Sequence, residues 1–561
     1  MKSQDIAEIA IVVLVLCGLA PFLGAYMARV FTGRKHPLSF LEPLERFIYR
    51  VSGIRTEKGM DWKGYALSIA GFSAASIILL DLILMLQGFL PLNPRHYAGV
   101  KWDLALNTAI SFATNTNWQA YAGEASLSSF SQAVGLTVQN FVSAAAGMAV
   151  ALALVRGIIA KRLDPSEPSP DLGNFWVDLT RSVVYVLLPL SLIAAVALVS
   201  QGVVQSLGDY VPALSFEGRK DLIPLGPAAS QIAIKNLGTN GGGFFGQNAA
   251  FPLENPTPLS NILEVVSLAI IPAAFPFMFG RMSGKRRQGI VIFAVMFILF
   301  AAGLCGALAS EYRWGNMEGK EMRFGTGDSV LWAVMTTMTS CGAVNAMHDS
   351  LTPLAGMVSL LNMELGEVVF GGVGSGFYGM LALVFVTVFI AGLMVGRGPE
   401  YLGKKIEAYD IKLSMAAIIA PNLAILLFSS LAVVVKPGLS GILNPGPHGL
   451  TEVLYAFASG AGNNGSAFAG LGANSLFYNL TMGAAMLIGR FGVIFPMLAV
   501  AGNLSGKKQI PESAGTFRTD SAIFGVLLFS VVIIVAGLTH FPALTLGPIL
   551  DHFLMASGAA L

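Results

Sequence analysis

Ten long apolar stretches separated by polar connections set the pattern of this chain. They fall at residues 6–31, 65–90, 134–159, 175–200, 258–279, 289–308, 377–395, 413–435, 480–501 and 521–539. Apolar residues run through these stretches without alternating with polar ones. Segments of that kind have lipid or buried protein on every side. A helix of ~20 residues crosses the hydrocarbon core of a bilayer, so each stretch is long enough to span. A further stretch, 354–370, is amphipathic at best and runs into Gly371-Gly372-Val373-Gly374-Ser375-Gly376. That density of glycine at membrane depth predicts a broken helix.

The connections alternate in charge. Arg34, Lys35, Arg46, Arg50, Arg55, Lys58 and Lys63 follow the first stretch, and Arg156, Lys161 and Arg162 follow the third. Arg281, Lys285, Arg286 and Arg287 follow the fifth, Arg397, Lys404, Lys405 and Lys412 the seventh, and Lys507, Lys508 and Arg518 the ninth. Basic loops mark the cytoplasmic face. The N-terminus, with Lys2 alone, and the C-terminus, with no Lys or Arg after Arg518, are therefore expected outside. The first stretch lacks a basic leader and a small-residue cleavage site, and reads as a retained helix.

Four of the outward connections are long. Each carries a short semi-apolar segment of about a dozen residues, too short to cross and typical of a re-entrant loop. Each segment leads into a polar, small-residue patch: Thr114-Asn115-Thr116-Asn117-Trp118-Gln119, Thr239-Asn240-Gly241-Gly242-Gly243-Phe244, Ser340-Cys341-Gly342-Ala343-Val344-Asn345 and Asn463-Asn464-Gly465-Ser466-Ala467-Phe468. The predicted fold class is an all-α membrane protein of about ten transmembrane helices. Four pseudo-repeated helix–pore segment–helix units surround a central pore. The expected divisions are an N-terminal extra helix and cytoplasmic loop (1–64), repeats at 65–173, 174–287, 288–412 (with a broken second helix) and 413–510, and a C-terminal extra helix (511–561).

A cation that crosses a membrane needs oxygens in place of its hydration shell, and rings of backbone carbonyls supply them to potassium. Glycine allows the dihedrals that aim such carbonyls. Aligning the patches puts Thr116, Gly241, Gly342 and Gly465 at one level. Asn115, Asn240, Cys341 and Asn464 precede them, and Asn117, Gly242, Ala343 and Ser466 follow. These twelve positions hold no carboxylate. Dipoles without fixed charge suit potassium better than calcium or magnesium, which seek carboxylates. One Gly/Asn patch alone would read as a turn or a helix contact; four in equivalent connections read as a filter. Gln119 stands near it, and Trp118 and Phe244 read as a packing collar.

Charges inside the membrane face cavities or partners. Arg490 interrupts the ninth stretch, and Glu264 lies in the fifth. Glu364 and Glu367 adjoin the glycine break, so together with Gly371, Gly372, Gly374, Gly376 and Arg490 they are candidates for a gate or ion path. Arg490 equally suits a structural ion pair. Asp81 suits snorkelling and is assigned no role.

Composition narrows the classes. Charged residues make up 12% of the 561 positions against 54% hydrophobic, which excludes a soluble globular protein. Cys17, Cys305 and Cys341 form no C-x-x-C pair, and the histidines form no H-E-x-x-H pattern, so neither disulfides nor zinc are indicated. There is no G-x-x-x-x-G-K-[ST] phosphate loop and no D-K-T-G phosphorylation motif. The inside connection 32–64 is about half the size of a small domain. No ATP is expected on this chain. A self-sufficient potassium channel or symporter fits the same pattern, whereas an intramembrane enzyme would need a nucleophile–base or metal pairing that the spans do not display.

The four patches, Tyr401-Leu402-Gly403-Lys404-Lys405 and Asn248…Glu254-Asn255-Pro256-Thr257-Pro258 carry a resemblance that extends over essentially the whole chain. It resembles the potassium-binding A subunit (KdpA) of the bacterial Kdp potassium-transporting P-type ATPase. The resemblance implies membership of the superfamily of potassium transporters, with a fold descended from a tetrameric channel. It implies K+ as the transported ion, taken from outside by a non-catalytic subunit of an uptake pump in the bacterial inner membrane. It further implies the partners: an ATPase subunit (KdpB), a C subunit with one span (KdpC) and a small single-span subunit (KdpF), with membrane lipid around them and no nucleic acid. Thr116 departs from the glycine at the other three patches, as is usual in that family.

Overall fold

A computed structural model describes residues 3–161, 170–215, 217–218, 220–396, 398–511 and 517–558. Lys2, Arg162 and Arg397, counted above among the charges of the connections, lie outside the described residues.

Among the described residues, ten helices are long and apolar enough to cross a membrane. In chain order the helices used below are α1 (Ser3–Phe31), α2 (Trp62–Met85), α3 (Trp102–Ala113), α4 (Ser131–Ile159), α5 (Phe175–Ser200), α6 (Ala228–Leu237), α7 (Pro258–Met282), α8 (Arg286–Trp314), α9 (Gly325–Met338), α10 (Pro353–Glu364), α11 (Ser375–Met394), α12 (Ala408–Ala432), α13 (Gly446–Gly462), α14 (Leu476–Ser505) and α15 (Ala522–Ala556). The ten spans are α1, α2, α4, α5, α7, α8, α11, α12, α14 and α15. Each coincides with one of the ten apolar stretches. Among the described residues, strand is confined to two small antiparallel hairpins, Val211–Leu214 with Lys220–Ile223 and Glu400–Tyr401 with Lys404–Lys405.

Several spans begin before their apolar stretch, because the capping residues are polar. The Asp61 carboxylate accepts from the Gly64 N–H and starts α2. Glu407 and Asp410 cap each other reciprocally and start α12. Thr257 and Ser260 form a capping box at α7, with Pro258 at the first helical position. Polar side chains at these places satisfy amides that have no partner within the helix. The apolar pattern alone starts α2 and α12 about a turn late, whereas α7 begins where its apolar stretch does.

Between the spans of each pair lies a short helix that the sequence signals only as a semi-apolar segment: α3, α6, α9 and α13. All four are mostly buried. The order span–short helix–patch–span therefore recurs four times: α2/α3/α4, α5/α6/α7, α8/α9/α10–α11 and α12/α13/α14. Helices α4, α7 and α11 are the most enclosed of the spans, whereas α1, α2 and α15 show most of their surface to the outside. In α4 the small-residue run Ala144-Ala145-Ala146-Gly147 is buried, and residues of that size let neighbouring backbones approach closely.

The third unit is broken as expected, but the position of the break differs. Helix α10 ends at Glu364 and α11 begins at Ser375, so the irregular segment covers 365–374. It starts before the glycine cluster, and Gly376 lies inside α11. Gly366, Glu367, Phe370, Gly371 and Gly374 all have positive φ, two of them without the freedom of glycine. Tertiary partners hold this backbone. The Gly371 N–H donates to the Met338 carbonyl (2.9 Å) and the Val373 N–H to Thr239 Oγ1 (2.9 Å). Amides satisfied in this way can leave the helical ladder at membrane depth.

Candidate functional site

The four patches meet. Each follows the C-terminus of its short helix through one residue in the left-handed region: Asn115 (φ 67°), Thr239 (46°), Ser340 (54°) and Asn463 (59°). Each chain then turns back so that the next amide reaches the helix. Thr116 N–H donates to Ser111 O (2.8 Å), Asn240 to Lys235 O (2.8 Å), Cys341 to Thr336 O (3.0 Å) and Asn464 to Ser459 O (2.8 Å). Four unrelated short sequences thus make one turn, because each places a tolerant or compensated residue where φ must be positive.

These bonds correct the register read from the sequence. Thr116 is equivalent to Asn240, Cys341 and Asn464. Asn117, not Thr116, stands level with Gly241, Gly342 and Gly465. The sequence alignment was one residue off in the first patch because it matched chemistry, taking Asn115 with Asn240 and Asn464. The structure matches distance from the helix end. Asn117 (φ 55°) adopts the left-handed conformation that Gly241 (77°) and Gly465 (92°) adopt at the same level. Gly342 does not have positive φ, so close approach, not conformational freedom, requires glycine there.

The segments close into a ring. A Cβ on Gly241 would strike the backbone of Gly342, and one on Gly342 would lie 2.5 Å from the carbonyl carbon of Gly465. A Cβ on Gly465 would strike the carbonyl of Thr116. The Asn117 side chain closes the circle by donating to Gly241 O (3.0 Å). Further asparagines tie neighbours together. Asn115 donates to Thr239 O (3.0 Å), Asn463 to Thr116 Oγ1 (3.0 Å) and Asn464 to Thr336 O (3.0 Å). Gln119 accepts from the Gly243 N–H (2.8 Å), joining the first patch to the second. Asn115, Asn117, Asn240, Cys341, Ala343 and Ser466 are all buried, and the Cys341 thiol packs 3.7 Å from the Lys235 carbonyl. Trp118 and Phe244 are buried within apolar clusters.

The C-termini of four helices point at this ring. A helix C-terminus carries partial negative charge from its unpaired carbonyls, which favours a cation. The twelve positions hold no carboxylate, but Glu367 comes close to them. Its side chain faces Ser340 and Asn464 and lies against Gly462.

The irregular segment 365–374 and Arg490 lie next to the ring. Val373 is bonded to Thr239 of the second patch. A Cβ on Gly147 would lie 2.6 Å from Val373 O and 3.2 Å from Arg490 Nη2, and a Cβ on Gly374 would strike the Gly147 carbonyl. The Arg490 guanidinium is buried and donates to Ser143 O (3.2 Å). Ser143 also bonds Asn115 (2.9 Å), so Arg490 is one residue removed from the first patch. Glu364 lies apart from these groups, 3.3 Å from His540 of α15, with both side chains fully buried. Gly372 packs on Ser340.

Sequence reasoning missed several residues that hold the ring: Lys235, Trp332, Ser143 and Asn140. Lys235 was findable. It occupies the position of Ser111, Thr336 and Ser459, five residues before the equivalent patch residue in each repeat. His540 carries no signal, because nothing in the chain links it to Glu364.

Comparison with known proteins agrees with this architecture. The family described as potassium-transporting ATPase A subunit matches residues 10–553. The potassium-transporting ATPase potassium-binding subunit of Sorangium cellulosum is 53% identical, over 99% of this chain and all of its own length. The subunit of the same description from Pseudomonas aeruginosa is 53% identical over 98% of this chain and 99% of its own. Among solved structures, the potassium transporter TrkH of Vibrio parahaemolyticus aligns with a TM-score of 0.53 at 14% identity, covering 88% of this chain and 98% of that one. At that identity the likeness concerns the fold.

Proposed function

The chain belongs to the potassium-transporting ATPase A-subunit family, and from that premise we propose that the four-patch ring is its ion filter. The function is that of the potassium-binding subunit of a potassium-transporting ATPase, with potassium as the transported ion and ATPase subunits as partners. The protein is a multi-pass membrane protein. A stand-alone channel or symporter is disfavoured, because the full-length relatives are described as ATPase subunits.

Potassium enters from outside and is selected at Thr116–Trp118, Asn240–Gly242, Cys341–Ala343 and Asn464–Ser466, with Asn115 beside them. Segment 365–374, with Glu367 and Arg490, gates the path beyond. ATP is bound by a partner and not by this chain. The partners are KdpB, KdpC and KdpF, in an inner membrane with both termini outside. The repeats run from the caps of their first helices.

One observation carries this reading: the ring is so closely packed that a methyl group on any of its three glycines meets the backbone of another segment. Rings of backbone carbonyls select potassium by replacing its hydration shell, and such packing fixes how many oxygens the ring offers and where. Gly241→Ser, Gly342→Ser and Gly465→Ser test it in the assembled pump. A side chain at Gly241 or Gly465 holds the backbone in a disfavoured state, at about 1–3 kcal/mol, and one at Gly342 overpacks against Gly465, at about the same cost. Half-saturating potassium for ATPase activity is therefore expected to rise about ten- to a hundredfold, with weaker exclusion of sodium. Wild-type affinity and selectivity in all three variants would refute the filter.

A further inference from the structure

The second patch differs from the others in having three consecutive glycines, Gly241-Gly242-Gly243, of which the first two have φ of 77° and 66°. Such a run has more backbone freedom than any other part of the ring. Something outside the run must hold it.

We propose that Lys235 is a positioning residue of the ion filter, its ammonium, neutralised by Glu254, anchoring the glycine run through the Gly242 carbonyl so that the run keeps its place in the ring. This rests on the reading of the four patches as a filter.

Lys235 lies on α6, and its Nζ donates to Gly242 O (2.9 Å). The same Nζ contacts the Glu254 carboxylate, and both side chains are fully enclosed. Equivalent carbonyls in two other quadrants are also anchored, by neutral donors. Ser111 Oγ donates to Trp118 O (3.1 Å) and Trp332 Nε1 to Ala343 O (2.7 Å). The second quadrant alone of these three uses a charged donor, and it is the quadrant with the glycine run. A charge-assisted hydrogen bond is about twice as strong as a neutral one, so the strongest restraint falls on the most mobile backbone.

A bare ammonium beside a cation filter would repel the ion, and Glu254 removes that penalty. Glu254 is placed by its own loop, which Arg323 clamps through bonds to Asn255 O (2.6 Å) and Ala250 O (2.8 Å). A lysine kept only for folding could pair with any carboxylate. This one also reaches a carbonyl inside a patch, seven residues along the chain.

The test uses the assembled pump. Lys235→Met alone leaves Glu254 buried without its counter-charge and can fail to assemble. The double variant Lys235→Met/Glu254→Gln removes both charges at similar volume. Three quantities are read: the amount and melting temperature of the complex, half-saturating potassium for ATPase activity, and inhibition by sodium. Gly342→Ser is measured alongside. We expect the double variant to assemble and to raise half-saturating potassium about tenfold, with sodium newly competing. Lower yield or melting temperature with unchanged potassium dependence would mean a purely structural pair and would overturn the proposal. If Gly342→Ser shifts potassium dependence and the double variant does not, the filter reading survives and the role of Lys235 falls. If neither shifts it, both fall.

Discussion

Single residues decide the ring through contacts that residue type alone does not reveal. Asn117 donates to Gly241 O and to Asn140 Oδ1 (2.7 Å), whereas the Thr116 hydroxyl bonds Thr114 (2.8 Å) and Asn463. Asn117→Ala removes the tie that closes the circle. A hydrogen bond of this kind is worth about 0.5–1.5 kcal/mol, and more where a buried partner is left unpaired, so half-saturating potassium should rise several-fold or more. Thr116→Ser keeps the hydroxyl and should stay close to wild type. A potassium titration of ATPase activity checks both, and the opposite ranking would restore the register with Thr116 at the glycine level. A second residue-scale prediction concerns His448, in the first turn of α13 and outside the ten spans. Its Nε2 and Nδ1 lie 2.9 Å from Asp349 and from Asp551, with Glu452 close by. Hydrogen bonds donated to the carboxylates of Asp349 and then Asp551 push its pKa up from 6.5 to about 10, against the effect of burial. A raised folded-state pKa contributes stability that is fully present below the unfolded value and is lost as pH rises through about 10. The melting temperature of wild type should fall toward that of His448→Gln between pH 7 and pH 10.5. Parallel curves across that range would show that the imidazolium is not involved.

At the scale of elements, the broken helix is the one whose conformation depends most on its neighbours. Segment 365–374 keeps its shape through Met338 and Thr239 and through contact with Gly147. If it gates the path beyond the ring, loosening it should let ions leak. Thr239→Ala removes the acceptor of the Val373 N–H. Rubidium flux into proteoliposomes of the assembled complex, without ATP, is expected to rise severalfold over wild type. Gly374→Ala acts in the other direction. It puts a side chain at φ 87° against the Gly147 carbonyl, a strain of about 1–3 kcal/mol, and ATP-driven uptake should fall about tenfold or more. A leak unchanged in the first variant and full uptake in the second would leave the segment no gating role.

For the whole molecule, the Lys/Arg asymmetry predicts which face is which. Arg287, in the first turn of α8, is expected at the inside face, and Lys220, between α5 and α6, at the outside one; both are exposed. Single cysteines at these positions, in a background with Cys17 and Cys305 replaced by serine, should react oppositely with an impermeant thiol reagent applied to intact cells. Lys220→Cys should label and Arg287→Cys should not. The reverse would invert the molecule and bring potassium to the ring from the other side.

The sequence by itself determined the ten spans, because lipid imposes a length and an apolarity that each must satisfy within its own residues. It also determined that four connections carry equivalent patches and that the third unit is broken, since glycine density and helix-breaking are local properties. Tertiary structure decided the rest. That Asn117 and not Thr116 is level with the glycines follows from where each short helix ends. The ends of the break were set by partners more than 25 residues away: Gly371 on Met338 and Val373 on Thr239. Lys235 looks like an isolated charge in an apolar segment until Glu254 and Gly242 close around it. The approach of Glu364 to His540 brings together residues that no local pattern connects. Membrane insertion is governed by each segment's own free energy of transfer, whereas an ion ring is an agreement among four distant backbones, and only the packed fold brings those within reach of one another.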